Sequence, residues 1–157
     1  GGATRGWHGQ FVAYPARGES IAVLTNGANG YVLWPEIERG IAQSLGWPGW
    51  ETEVFTPLAL SPDEITAYTG VYTGNDFNVE VQSVRLGDDT ASPLGVCVVF
   101  GADTWAGVPT EEDVFELLDF EGQMVFERAP DGEVQGMELW FDMPGWSPYR
   151  RWGFEKA

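Results

Sequence analysis

The feature that most constrains this chain is a change of period along it. From Val71 onward apolar residues recur at every second position in short runs, separated by glycine and acidic turns. Phe77, Val79 and Val81 share one face of such a run while Asn78, Glu80 and Gln82 share the other, which is the pattern of a half-buried strand. Runs at Leu94 to Phe100, Val114 to Leu118, Gln123 to Glu127, Val134 to Phe141 and Tyr149 to Phe154 follow, with Pro130-Asp131-Gly132 the clearest hairpin turn. Six or more short strands at this spacing predict a small antiparallel barrel or sandwich.

The first third reads differently. Gln10 to Tyr14 and Ser20 to Thr25 form a hairpin with a long turn. Leu33, Ile37, Ile41 and Leu45 then recur every four residues with Trp34 and Ala42 beside them, one apolar stripe of a helix. Pro35 is tolerable in a first turn, which predicts a start near Tyr31 to Trp34, and Gly46 with Pro48 ends the helix. Residues 51–60 read as a packed linker. Ser61-Pro62-Asp63-Glu64 is a helix start with its capping box and first-turn proline. The expected class is α+β, divided as residues 1–50, the linker 51–60, and a β domain over 61–157.

Charge narrows the partners. Eight Lys+Arg against 24 Asp+Glu give −16 over 157 residues, a surface that repels phosphate backbones and anionic lipid, so neither nucleic acid nor membrane is expected as a partner. Hydrophobic residues at 43%, with eight Trp and nine Phe, are enough for a packed core without a metal or disulfide. Cys97 sits in an apolar run with no basic neighbour and reads as a buried, inert thiol. His8 is the single histidine and reads as structural, and with one His and one Cys no zinc site is expected. The acidic turns Asp88-Asp89, Glu111-Glu112-Asp113 and Asp131-Gly132-Glu133 lack the spacing of a calcium loop and read as solvated. No cofactor is implied.

The order Gly1-Gly2, Gly6-Trp7, Phe11-Val12-Ala13-Tyr14-Pro15 and Ile21-Ala22-Val23-Leu24-Thr25-Asn26 resembles serine β-lactamase-like hydrolases related to penicillin-binding proteins. That resemblance implies that residues 1–50 are the C-terminal hairpin and helix of such a domain. Gly1 and Gly2 would be the end of a His-Gly-Gly motif and the remnant of an active-site wall. Residues 61–157 resemble, through Ala67-Tyr68, Gly70, Tyr72 and Gly132 to Met137, the lipocalin-like β domain fused behind such enzymes. The resemblance also favours an extracellular or periplasmic parent.

The expected nucleophile is missing. None of the six Ser (20, 44, 61, 83, 92, 147) has Lys three residues on, and Lys156 is the single lysine. The chain alone is therefore expected to be a non-catalytic, self-associating fragment, joined through its hairpin edge and helix and able to extend into filaments or tubes. One alternative is half of a serine hydrolase that needs a separate Ser-x-x-Lys chain. Another is a lipocalin-like module that binds a small ligand or carbohydrate. Trp47, Trp50, Trp105 and Trp146 lie in turns or linkers, where exposure would serve ligand stacking or subunit contact; Trp140 and Trp152 lie in strands and are expected in the core.

Overall fold

The computed structural model describes residues 1–4, 6–27, 30–52, 54–101, 103–118, 122–143 and 146–157, with side chains described except at 31–32, 103, 141–143 and 146–150. It contains two compact units, Gly1–Val54 and Phe55–Ala157. Among the described residues no helix is long and apolar enough to cross a membrane.

In the first unit the strands β1 (Gly2–Thr4), β2 (Trp7–Tyr14) and β3 (Glu19–Thr25) form an antiparallel sheet in the order β1-β2-β3. The β2–β3 register pairs Gln10 with Val23 and Val12 with Ile21, so these four share one face. The helix α1 (Gly30–Ser44) packs on that face. The chain then turns back so that Trp47 and Ala42 join Ile21 and Val23 in a small core. Gly46 takes a positive φ of 66° at the helix end, the left-handed geometry that glycine adopts without a Cβ penalty. Pro35 falls in the second turn rather than the first, so the helix forgoes one internal hydrogen bond there.

In the second unit β4 (Gly70–Gly74), β5 (Asn78–Arg85), β6 (Leu94–Phe100), β7 (Asp103–Glu111), β8 (Val114–Leu117), β9 (Gly122–Arg128), β10 (Val134–Met143) and β11 (Trp146–Lys156) close into an antiparallel barrel. Every strand neighbours its sequence neighbours, and β11 returns to β4. Alternation fills the interior: Tyr72, Phe115, Met124, Met137, Leu139 and Val96 are essentially sealed from solvent, and each such large apolar side chain contributes about 1.5–3 kcal/mol on burial.

Two of these strands lie outside the sequence expectation. β4 is only five residues long, and β7 carries Gly107 and Pro109, which weaken a strand pattern. Both residues have a place in the barrel. A Cβ at Gly107 would run into the Met124 methyl group. Pro109 stands where the β7–β8 register shifts and its missing donor is tolerated.

The short helix α2 (Pro62–Thr66) precedes the barrel. Ser61 Oγ accepts from the Glu64 amide at 3.3 Å, and the Glu64 carboxylate accepts from the Ser61 amide at 2.8 Å. The capped helix delivers Ile65 and then Tyr68 into the barrel core, and α2 contacts β6.

Candidate functional site

On β2 and β3 the residues facing away from α1 are Trp7, Phe11 and Leu24, exposed by 60%, 62% and 83%. The register makes them one surface, since Phe11 opposes Ala22 and Gly9 opposes Leu24. Gly2 and Gly9 leave the backbone bare between them, and a Cβ at Gly9 would stand 2.9 Å from the Leu24 methyl carbon. The result is an open groove of about 400 Å³ lined by Gly1, Gly2, Trp7, Phe11, Ala22 and Leu24 among others. β3 ends the sheet. Between Ser20 and Thr25 it carries no charge and no proline, so its edge lacks the usual guards against pairing.

The helix adds apolar surface of its own. The face of α1 turned to the sheet holds Trp34, Glu38 and Ala42, and the expected stripe of Leu33, Ile37, Ile41 and Leu45 lies about 100° round the helix and stays 37–53% exposed. A three-stranded sheet is too narrow to cover the whole apolar arc.

Polar groups occupy the layer between. Glu38 is 1% exposed and Gln10 8% exposed. The Glu38 Oε1 takes no hydrogen bond. Burial pushes its carboxyl above the usual carboxylate range, opposed by the positive charge of the amino terminus. His8 is half-buried on the same inner sheet face.

At one end of the barrel a polar network fastens the helix segment to the wall. The Tyr68 hydroxyl donates to Asp113 Oδ1 at 2.9 Å. Arg128 Nε donates to both Asp113 oxygens at 2.9 and 3.0 Å, and its Nη2 donates to the Tyr68 hydroxyl at 2.9 Å. Asp113 holds a positive φ of 62° to reach them. Hydrogen bonds to Asp113 push the Arg128 guanidinium further up, and burial pushes up the Tyr68 and Tyr72 hydroxyls. Lys156 Nζ donates to the Ala67 carbonyl at 2.7 Å, and burial lowers its ammonium. These groups are hydrogen-bonded to one another and tie Tyr68 to the β7–β8 turn and to β9.

The residues singled out from sequence fall in separate places. Gly1 and Gly2 line the apolar groove. Trp47 is 5% exposed, donates to Glu19 at 2.6 Å and stacks near Tyr14 and Trp50, so it is core and not a platform. Trp50 is half-buried. Trp105 is also buried, because β7 turns it into the barrel near Phe100. The Trp146 side chain lies outside the described residues. Trp140 faces outward at 37% exposure under the Arg151 guanidinium, 5.1 Å from its ring centre, rather than in the core. Cys97 is half-buried on the outward side of β6. The acidic turns are used locally: Asp89 accepts from Ala91 and Ser92, and Asp131 from Glu133. Among the described residues no three His, Cys, Asp or Glu converge as a metal site.

Sequence reasoning missed two features. One is Glu38, which sits on the buried helix face between Trp34 and Ala42. The other is a cleft in the barrel wall of about 210 Å³, lined by Gly74, Asn75, Asp76 and Phe77 from the β4–β5 turn and by Arg151, Trp152, Gly153 and Phe154 from β11.

Comparison with known proteins adds little. No family model matches the chain, and no curated protein matches it. Among solved structures the chain is similar to the crystal structure of SurE with D-Leu, at 19% identity and a TM-score of 0.42, over 99% of this chain and 37% of that one. The chain thus spans about a third of that protein's length, and at this level the likeness carries no argument. The expected serine β-lactamase-like parentage is corrected: no family model and no curated protein matches, and the solved structure named above bears the name SurE and not that of such a hydrolase. The hairpin and helix are present, but their assignment to a β-lactamase-like domain is unsupported. The roles that Gly1 and Gly2 would inherit from that family fall with it.

Proposed function

We propose that this chain is a non-catalytic assembly module that associates with further copies of itself through the apolar surface of its first unit. The observation that carries the reading is the groove at Trp7, Phe11 and Leu24, exposed on a sheet whose other face is already packed. Apolar surface gathered in this way marks an interaction site. Charge supports a second copy as the occupant. Of the 24 acidic residues only Glu19, Glu36, Glu38, Glu51 and Glu53 precede residue 55, against Arg5, Arg17 and Arg39, so the first unit carries −2 of the net −16 and the second −14. Like-charge repulsion therefore acts mainly between barrels and leaves the first units free to meet.

The sheet face and the half-exposed helix stripe are different surfaces. A contact that joins one to the other on the next copy is heterologous and propagates into a filament, whereas sheet on sheet closes as a dimer. Light scattering of the pure chain across a concentration series tests the reading, with Leu24→Asp as the control. A monodisperse monomer at every concentration would overturn it.

The barrel supports a finer likeness to the lipocalins. Its strands run up and down in cyclic order, and a helix segment is fastened to one end. The interior is filled by Tyr72, Phe115 and Met124, which argues against a ligand held inside it.

A further inference from the structure

The barrel wall is not uniformly closed. β11 pairs with β4 only over Phe154 to Lys156, opposite Gly74 to Tyr72. β11 begins eight residues earlier, at Trp146, whereas β4 ends at Gly74, so beyond Phe154 β11 runs on without β4 beside it. The β4–β5 turn closes by the Phe77 carbonyl accepting from the Gly74 amide at 3.0 Å, and the cleft of about 210 Å³ lies between that turn and β11.

Its walls are chemically mixed in an ordered way. Phe77 supplies an aromatic side held by three ring contacts, with Trp152 at 5.0 Å, Phe154 at 5.5 Å and Phe100 at 4.6 Å between centres. The rim is polar. Asn75 and Asp76 are exposed on the turn. Arg151 stands across from them, anchored by an ion pair to Glu138 and by the Trp140 ring. A Cβ added at Gly153 would meet nothing within 4 Å, so the cleft is open on that side.

We infer that this cleft binds one ring of a neutral carbohydrate. A ligand with a single charge of either sign would meet a like charge, since Asp76 and Arg151 both line the site. An anion would in addition face a unit carrying 19 of the 24 acids. A neutral ring with one apolar C–H face and a rim of hydroxyls matches what is present. The C–H face lies on the aromatic side, Asp76 accepts, Arg151 donates, and the Asn75 amide does both. The volume is below the roughly 300–1,000 Å³ of drug-sized pockets, so a single ring enters and any further residues of a glycan remain in solvent. This site lies in the second unit and does not depend on self-association through the first.

The test is saturation-transfer NMR on the full chain with glucose, galactose, mannose and N-acetylglucosamine, and with glucuronate and glucosamine as charged counterparts. At least one neutral sugar is expected to receive saturation on its ring C–H protons. Gly153→Leu should abolish the transfer by filling the cleft. Asn75→Ala with Asp76→Ala, both on an exposed turn, should weaken binding about tenfold, the loss expected for hydrogen bonds that include a charged partner, and this variant serves if Gly153→Leu does not fold. The inference is overturned if no neutral sugar gives transfer, if transfer survives in a folded Gly153→Leu chain, or if the Asn75 and Asp76 variant binds as tightly as the parent. Tighter binding of either charged sugar than of its neutral counterpart overturns the assignment to a neutral ligand.

Discussion

Replacing Glu38 by methionine keeps an unbranched stem of similar reach while removing a carboxyl that is 1% exposed and whose Oε1 takes no hydrogen bond. An unsatisfied buried polar group costs about 1–3 kcal/mol, so Glu38→Met should stabilise the first unit by that order. In a unit of 54 residues each kcal/mol raises the melting temperature by about 4–8 °C. The sign of the pH dependence follows from the direction of the shift. The folded carboxyl lies above its ordinary value because burial disfavours the charged form, so the folded unit holds this proton more tightly than the unfolded chain does. Its contribution to stability is therefore greatest below the unfolded value of about 4.3. It declines as pH rises through the raised folded value and is level beyond it. The gain from Glu38→Met should accordingly be small at pH 4 and grow toward neutrality. Amide exchange of α1 and β2 reads the first unit separately, since a chain of two units need not unfold in one step. A methionine variant less stable than the parent at neutral pH, or a difference that ignores pH, would refute the reasoning.

Two further substitutions test the barrel. Asp113→Ala should cost about 2–4 kcal/mol in urea unfolding, because it leaves Arg128 and Tyr68 without their shared acceptor. Asp113→Gly should cost about 1 kcal/mol less, since glycine adopts the positive φ freely; equal losses would show that the backbone at this position is not strained. Gly95→Ala should destabilise by roughly 1–3 kcal/mol or more, because the new Cβ would be driven into the Gly107 carbonyl on the paired strand; a neutral result would contradict the tight β6–β7 approach.

The legible parts of the fold are those where local chemistry and tertiary packing agree. The alternation of Phe77, Val79 and Val81, the Asp131-Gly132 turn and the Ser61–Glu64 capping box each state a local geometry that the barrel then uses. The helix stripe misleads because periodicity reports an apolar arc and not what covers it. Leu33 and Ile37 remain exposed since only three strands lie beneath, while Glu38 is carried inward by its neighbours Trp34 and Ala42. Trp47 and Trp105 read from sequence as lying in turns or linkers, but each is drawn into a core that such an assignment cannot reveal. The wall cleft is invisible in sequence because it arises where a long strand outruns a short neighbour, a property of register between Phe154 and Gly74.

The central claim is that Trp7, Phe11 and Leu24 form a face for another copy. Together they offer most of three large side chains, each worth about 1.5–3 kcal/mol when fully buried, and tenfold in affinity corresponds to about 1.4 kcal/mol. Light scattering coupled to size exclusion measures this directly. The parent chain should gain mass with concentration, and Leu24→Asp should shift that transition to concentrations at least about tenfold higher without altering the fold. A parent chain that stays monomeric throughout, or a Leu24→Asp chain that assembles equally well, would contradict the account.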